Sequence, residues 1–327
     1  MISNLNLKSK LTKTPTILIL LIGVLVLPLI LKAANFNYGI LICCFVLLYI
    51  VAVSGLDVVF GYSGQISLGH AAYFAIGAYG SIILNKYFGI MIFFSMILAA
   101  LIATLVGIVI AYPASRLRFH FLSLSTIAFG EIVYQLVLQS PGAITGNSLG
   151  MFTEPINLFG FSLNTYTRFY YYGLVVVIIF LLFKNNLINS KTGRALIAIR
   201  ENGYAADGMG INVTYYKVIA FATSAFYCAY AGGMYAHLVG FVSPDTFMFR
   251  QSVLFLTMLL FGGTGSLLGP IIGAFSVILL NEGLRVAERY QMFIYGILML
   301  LAIIALPGGI YGSVKRLRNR LTKKGAQ

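Results

Sequence analysis

The feature that most constrains this chain is a succession of apolar runs, most of them about 15–25 residues long, separated by short polar or glycine-rich breaks. A helix rises ~1.5 Å per residue, so a run of that length matches a hydrocarbon core about 30 Å thick. Apolar residues make up 60% of the 327 positions, and the mean hydropathy is +0.93. Soluble domains average roughly 45–50% apolar residues. Strand-like alternation is absent, which argues against an outer-membrane barrel. The expectation is an all-α polytopic membrane protein with 8–10 transmembrane helices, some of them discontinuous or re-entrant.

Ten apolar segments can be placed: Thr16–Leu31, Gly39–Phe60, Ala71–Leu84, Ile90–Tyr112 (ended by Pro113), Phe121–Leu138, Phe169–Phe183, Val213–Val239, Gln251–Phe261, Pro270–Leu280 and Met292–Leu306. The first could be a secretory signal, but further spans come after it, and an uncleaved helix is the preferred reading. Gln251–Phe261 and Pro270–Leu280 are too short to cross alone. Eight full spans plus a re-entrant pair is therefore the alternative to ten crossings. Gln139–Thr167 reads as the longest non-helical stretch. The expected domain layout is a basic tail at 1–15, a single transmembrane domain at 16–310, and a second basic tail at 311–327.

Charge orients the bundle. The net charge is +14. Its basic residues gather at both ends and in two internal stretches, Arg116–Arg118 and Lys184–Lys217. The positive-inside rule puts all of these in the cytoplasm, with both termini. Such a distribution fits anionic lipid headgroups and gives no reason to invoke nucleic acid. The three cysteines, Cys43, Cys44 and Cys228, lie in apolar spans and suggest neither a disulfide framework nor a metal site.

Between two apolar segments lies a polar island, Lys191–Ile211, which forms nearly all of the expected cytoplasmic loop at 190–212. Leu196, Ile199, Gly203 and Ala206 recur on one helical face, with Arg194, Arg200, Glu201 and Tyr204 mostly off it. Gly208 and Gly210 close the segment as helix-terminating glycines do. The pattern predicts one short helix lying across the end of the bundle. It is either an ordinary amphipathic connector or a contact surface.

Two glycine breaks share the pattern F-G-x-[S/T]-G leading to L-G. One is Phe60-Gly61-Tyr62-Ser63-Gly64, running on to Leu68-Gly69. The other is Phe261-Gly262-Gly263-Thr264-Gly265, running on to Leu268-Gly269. Repeats of this kind accompany broken helices that line transport pathways. Gly61, Ser63, Gly64, Gln65, Ser67 and Gly69, with Gly262, Gly263, Thr264 and Gly265, are the candidate lining residues. Tight helix packing is the competing reading. His70, just past the first break, reads more readily as a hydrogen-bonded packing residue than as a ligand. Glu131 sits inside a span, where a carboxylate needs water or a partner. Its role is either in a pathway or in a structural hydrogen bond to a neighbouring helix. Asp57, near the end of the second span, is similarly open.

The sequence contains no phosphate-binding loop, no H-E-x-x-H and no Cys/His cluster with metal spacing. A membrane enzyme is thus disfavoured, and any pumping must draw on a partner or an ion gradient. A stand-alone secondary transporter using Glu131 or Asp57 for ion coupling stays open at this point.

Four stretches, in order, resemble the LivM-type permease subunit of branched-chain amino acid ABC importers. They are GYSGQISLGHAAYFAIGAYG (61–80), RLRFHFLSLSTIAFGEIV (116–133), GRALIAIRENGYAADGMGINVTYYKVIAF (193–221) and FGGTGSLLGPIIGA (261–274). The resemblance covers about residues 35–310. The chain departs from the family pattern at Gly203 and Asn147. The resemblance implies a multi-pass inner-membrane permease that moves leucine, isoleucine or valine by alternating access, with urea, short amides or another amino acid as alternative cargo and sugars as the cargo of more distant relatives. It implies a heterodimer with a LivH-type permease, two cytoplasmic ATPase subunits and an extracytoplasmic substrate-binding protein. No cofactor is expected on this chain; ATP and Mg would be used by the ATPases. The island becomes the coupling segment, with Ala205, Ala206, Met209 and Gly210 at the docking face and Arg194, Arg200, Glu201 and Asn202 around it.

Overall fold

The computed structural model describes residues 13–115, 119–158, 161–285, 293, 296–297, 300 and 308–313. Most of the basic tails, Arg116–Arg118 and nearly all of the expected Met292–Leu306 span lie outside the described residues.

The chain is an all-α polytopic membrane protein. Its helices are α1 (Lys13–Ala33), α2 (Asn37–Asp57), α3 (His70–Phe88), α4 (Ile92–Ala114), α5 (Phe119–Gln139), the single turn α6 (Gly142–Thr145), α7 (Tyr166–Asn189), α8 (Lys191–Glu201), α9 (Gly203–Gly208), α10 (Val213–Val239), α11 (Phe249–Gly262) and α12 (Gly269–Leu284). Among the described residues, four segments are long and apolar enough to cross a membrane: Asn37–Tyr62, Ile92–Ala114, Phe121–Gln139 and Tyr166–Asn189.

Two further helices, α3 with 19 residues and α10 with 27, have the length but not the apolarity. Their position explains this. Both sit inside the bundle and meet other helices rather than lipid, so small residues replace large apolar ones. Ala225, Ala229, Ala231, Gly232 and Gly233 of α10 are all buried. A Cβ at Gly77 would collide with the Ala229 carbonyl, and one at Gly232 with the Phe74 carbonyl. The two backbones therefore interlock at van der Waals distance, which is how small residues hold membrane helices together. By contrast, α4 turns Leu101, Leu105 and Val109 outward, as lipid-facing side chains would be.

Pro113 does not end α4. The helix continues to Ala114, with the proline in its last turn. The late pair α11 and α12 has 14 and 16 residues. At ~1.5 Å per residue each is about 21–24 Å long, shorter than the hydrocarbon core. They form a tight hairpin, because a Cβ at Gly273 would strike the Met258 carbonyl. The long Gln139–Thr167 stretch is not wholly irregular. It contains α6, a 3₁₀ turn at Asn147–Leu149 and three two-residue strands: β1 (Met151–Phe152), β2 (Asn157–Leu158) and β3 (Phe161–Ser162). β1 pairs antiparallel with β4 (Phe241–Val242), in register Met151 with Val242, which ties this loop to the end of α10.

Candidate functional site

The two glycine breaks, about 200 residues apart in sequence, touch in space. α2 runs into one π-helical turn, Val58–Tyr62, and the chain then opens into Ser63–Gly69. The second break joins α11 to α12. A Cβ on Gly61 would press against the Gly265 nitrogen, and one on Gly265 would lie 3.2 Å from the Gly61 oxygen. Only residues without side chains permit this approach.

A buried ion pair holds the junction. Lys184 Nζ lies 2.8 Å from Asp57 Oδ2, and both side chains are fully buried. The other carboxylate oxygen, Oδ1, accepts the Gly265 N–H at 2.7 Å. Lys184 also donates to the Ser266 carbonyl at 3.4 Å and lies over the Tyr62 ring, 5.8 Å from its centre. One carboxylate and one ammonium thereby connect the end of α2, the end of α7 and the second break. The backbone groups that the break exposes find partners inside protein, as they must at membrane depth.

Sequence reading placed Lys184 in a cytoplasmic loop. The structure corrects this: α7 continues to Asn189, and Lys184 points into the bundle. A lone lysine ending an apolar run and a lone aspartate ending another were the available signal, since intramembrane charges pair.

Most of the remaining polar groups of the first break are also held by protein; the buried Gln65 Oε1 has no hydrogen-bond partner among the described residues. Ser63 Oγ donates to the Val59 carbonyl (2.7 Å), and Gln65 Nε2 donates to Ser63 Oγ (2.6 Å). The Leu68 N–H donates to Thr126 Oγ1 (3.0 Å). Ser67 Oγ meets His70 Nδ1 at 3.1 Å, and His70 Nε2 meets Ser224 Oγ at 2.6 Å. Gly69 lies against the Thr126 carbonyl. Ser63, Gln65, Ser67 and His70 are buried, while Thr264 in the second break is half-buried.

The polar island forms two helices rather than one. Ser190 caps α8 by accepting the N–H groups of Thr192 (3.1 Å) and Gly193 (3.5 Å). Asn202 then leaves helical geometry at φ −159°, ψ 104°, and its side chain accepts the N–H groups of Tyr204 and Ala205 at 3.1 Å each, starting α9. A cap of this kind stabilises a helix start by about 1 kcal/mol. The sequence periodicity ran straight through Asn202 because an asparagine favours capping over helix continuation, and residue spacing does not register that choice.

The face picked out by the periodicity is the one turned to the bundle on both sides of the break. Leu196, Ile199 and Ala206 are buried against the bundle. Ala206 therefore does not belong to an outward docking face, which corrects the sequence assignment. The residues that project are Tyr204, 92% exposed, and Met209, 84% exposed, with Arg194, Glu201, Asn202, Ala205 and Gly210 also at the surface. Arg200 is exposed, as expected at the rim, but it also bridges to the junction. Its Nη1 reaches inward and donates to the Gly61 carbonyl.

Glu131 lies apart from this junction, on an exposed face of α5. Gln135 Nε2 donates to Glu131 Oε1 (2.8 Å), and Gln139 Nε2 donates to Gln135 Oε1 (3.2 Å). The partner of Glu131 is thus on its own helix. The resulting polar ladder spans about 12 Å of helix, taking 1.5 Å per residue.

Comparison with known proteins agrees with the four-motif resemblance. The LivM permease protein of the high-affinity branched-chain amino acid transport system of Salmonella typhimurium is 33% identical over 289 residues, covering 81% of this chain and 68% of that protein. A probable LivM permease of Methanocaldococcus jannaschii is 25% identical over 316 residues, covering 81% and 90%. The fructose import permease FrcC of Rhizobium meliloti is 29% identical over 157 residues, covering 46% of this chain and 44% of that protein. No solved structure matches. The family described as branched-chain amino acid transport system / permease component matches residues 39–303, and the chain belongs to that family.

Proposed function

We propose that this chain is the membrane-spanning subunit of an ATP-driven importer that carries leucine, isoleucine and valine, working by alternating access beside a LivH-type permease. An extracytoplasmic binding protein delivers the amino acid. Two cytoplasmic ATPases bind and hydrolyse ATP with Mg, and this chain supplies no ATP site of its own. Both termini and the α8–α9 segment are cytoplasmic, in line with the basic residues that accompany them.

The observation that carries this reading is the α8–α9 surface. A permease that receives its energy from another chain needs a rigid feature for that chain to grip. Two short helices, each with a side-chain cap, display Tyr204 and Met209 on a membrane bundle. Aromatic and methionine side chains are favoured anchors at interfaces. The path itself runs along the α5 face that carries Glu131, Gln135 and Gln139. A carboxylate on an outward face of a membrane helix requires water or another protein surface, and a path shared with a second permease supplies both. The polar ladder suits the ammonium group of an amino acid.

Reconstitution tests the reading. Proteoliposomes containing this chain, its partner permease and the ATPases should accumulate leucine only with ATP inside the ATPase compartment and binding protein opposite. Uphill uptake by this chain alone from an ion gradient would overturn it. Competition by urea or fructose, but not by valine, would move the substrate class.

A further inference from the structure

The two F-G-x-[S/T]-G breaks have equivalent closing glycines, Gly64 and Gly265. Both adopt left-handed backbone, at φ +70° and +68°. Both lie against the same side chain. A Cβ at Gly64 would sit 3.1 Å from Arg200 Cγ, and a Cβ at Gly265 would sit 3.1 Å from Arg200 Nη1. Arg200 is thus cradled between matching turns of the two breaks, with its guanidinium on the Gly61 carbonyl. Behind it, Asp57 accepts the Gly265 N–H and Lys184 reaches the Ser266 carbonyl. The arginine comes from α8, the helix that carries the exposed surface segment.

We propose that Arg200 is a positioning residue that locks both glycine breaks to the α8–α9 segment, so that a displacement of the segment moves α2 and the α11–α12 hairpin as one body. The Asp57–Lys184 pair is the second half of this lock, joining α7 to the same two breaks. The lock rests on the coupling role given to α8–α9 above. Its physical basis is local. A planar guanidinium with several N–H donors can hold backbone carbonyls whose helical partners are missing. Left-handed turns at Gly64 and Gly265 leave room for the arginine stem, which a residue with a Cβ would crowd and which only glycine adopts without strain. Discrete arrangements of such packed elements are what carry coupling between sites.

Two measurements test the proposal. In proteoliposomes of the full transporter, the ATP hydrolysed per leucine imported is compared for wild type, Arg200→Ala and Arg200→Lys. The alanine variant should raise that ratio about 5-fold or more, the low end of coupling between sites. The lysine variant, which keeps charge and one donor group, should recover part of it. A merely structural arginine would lower hydrolysis and uptake in proportion and leave the ratio unchanged, and that result overturns the proposal.

The second measurement is amide hydrogen exchange on the purified full chain, which does not depend on the substrate or the partners. Arg200→Ala should speed exchange in peptides covering both 61–69 and 262–269, and leave the Gly77–Ala229 contact region as in wild type. Acceleration at only one break, or at neither, overturns the proposal even where leucine uptake is normal. Absence of leucine uptake by the wild-type transporter would instead count against the importer reading, and the exchange data would still decide the lock.

Discussion

Removing one partner of the Asp57–Lys184 pair should be far worse than removing both. The charges lie 2.8 Å apart with both side chains fully buried. At an effective dielectric of ~20 their attraction is about 6 kcal/mol, from 332/(εr). Taking each ion out of water costs several kcal/mol, so the pair as a whole is close to neutral for stability. A single change leaves that cost uncompensated. Lys184→Met leaves a buried carboxylate whose remaining protein donor is the Gly265 N–H, and Asp57→Asn leaves a buried ammonium. Each should destabilise by about 3–5 kcal/mol, whereas the double variant should lose only about 1–2 kcal/mol. The assay is a double-mutant cycle on thermal inactivation in detergent, with fluorescence-detected size exclusion reporting the folded fraction. Single losses that add in the double variant would refute the reasoning, because additivity means the two side chains do not share one buried interaction.

The α3–α10 contact should be intolerant of bulk: Gly77→Leu drives a side chain into the Ala229 carbonyl. Overpacking costs about 1–3 kcal/mol even where side chains can yield, and backbone cannot. Loss of folded protein is therefore expected, and wild-type yield and melting would contradict the packing described. Tyr204→Ala and Met209→Ala should each weaken ATPase association by roughly 5–30-fold, about 1–2 kcal/mol, without changing the melting of the isolated chain. Binding to the ATPases measured by light interferometry reads this directly, and unaltered affinity in the double variant would remove α9 from the interface. Glu131→Gln should raise the leucine concentration needed for half-maximal uptake about 10-fold, the low end for a hydrogen bond to a charged group. Uptake unchanged in rate and in pH dependence would make Glu131 structural.

The run lengths were enough to read a helical membrane bundle, because lipid imposes a length and an apolarity that can be counted along the chain. The break pattern shared by Phe60–Gly64 and Phe261–Gly265 was legible too, as was the character of Lys191–Ile211 as a surface segment. Its helix break was not. Asn202 interrupts the helix by capping α9, yet Ala206 stays on the buried face with Leu196 and Ile199, so the docking role the resemblance gave Ala206 fails and Tyr204 and Met209 are the residues that project. α3 and α10 show the same limit in another form. Their modest apolarity looks like weak membrane helices until the bundle around them is seen.

Sequence by itself determined the solvent in which the chain folds, the positions of its two glycine breaks, and the stretches in which its cations gather. These properties come from local composition, which every residue carries with it. Tertiary structure alone decided which breaks meet, that Lys184 turns away from the neighbouring loop cations to neutralise Asp57 127 residues away, and that the exposed Arg200 reaches the Gly61 carbonyl of the junction. Those outcomes depend on the closure of distant segments, which for Asp57 and Lys184 surrounds groups too costly to leave unpaired in a low-dielectric interior. No spacing along the chain encodes which unpaired group lies nearest in space.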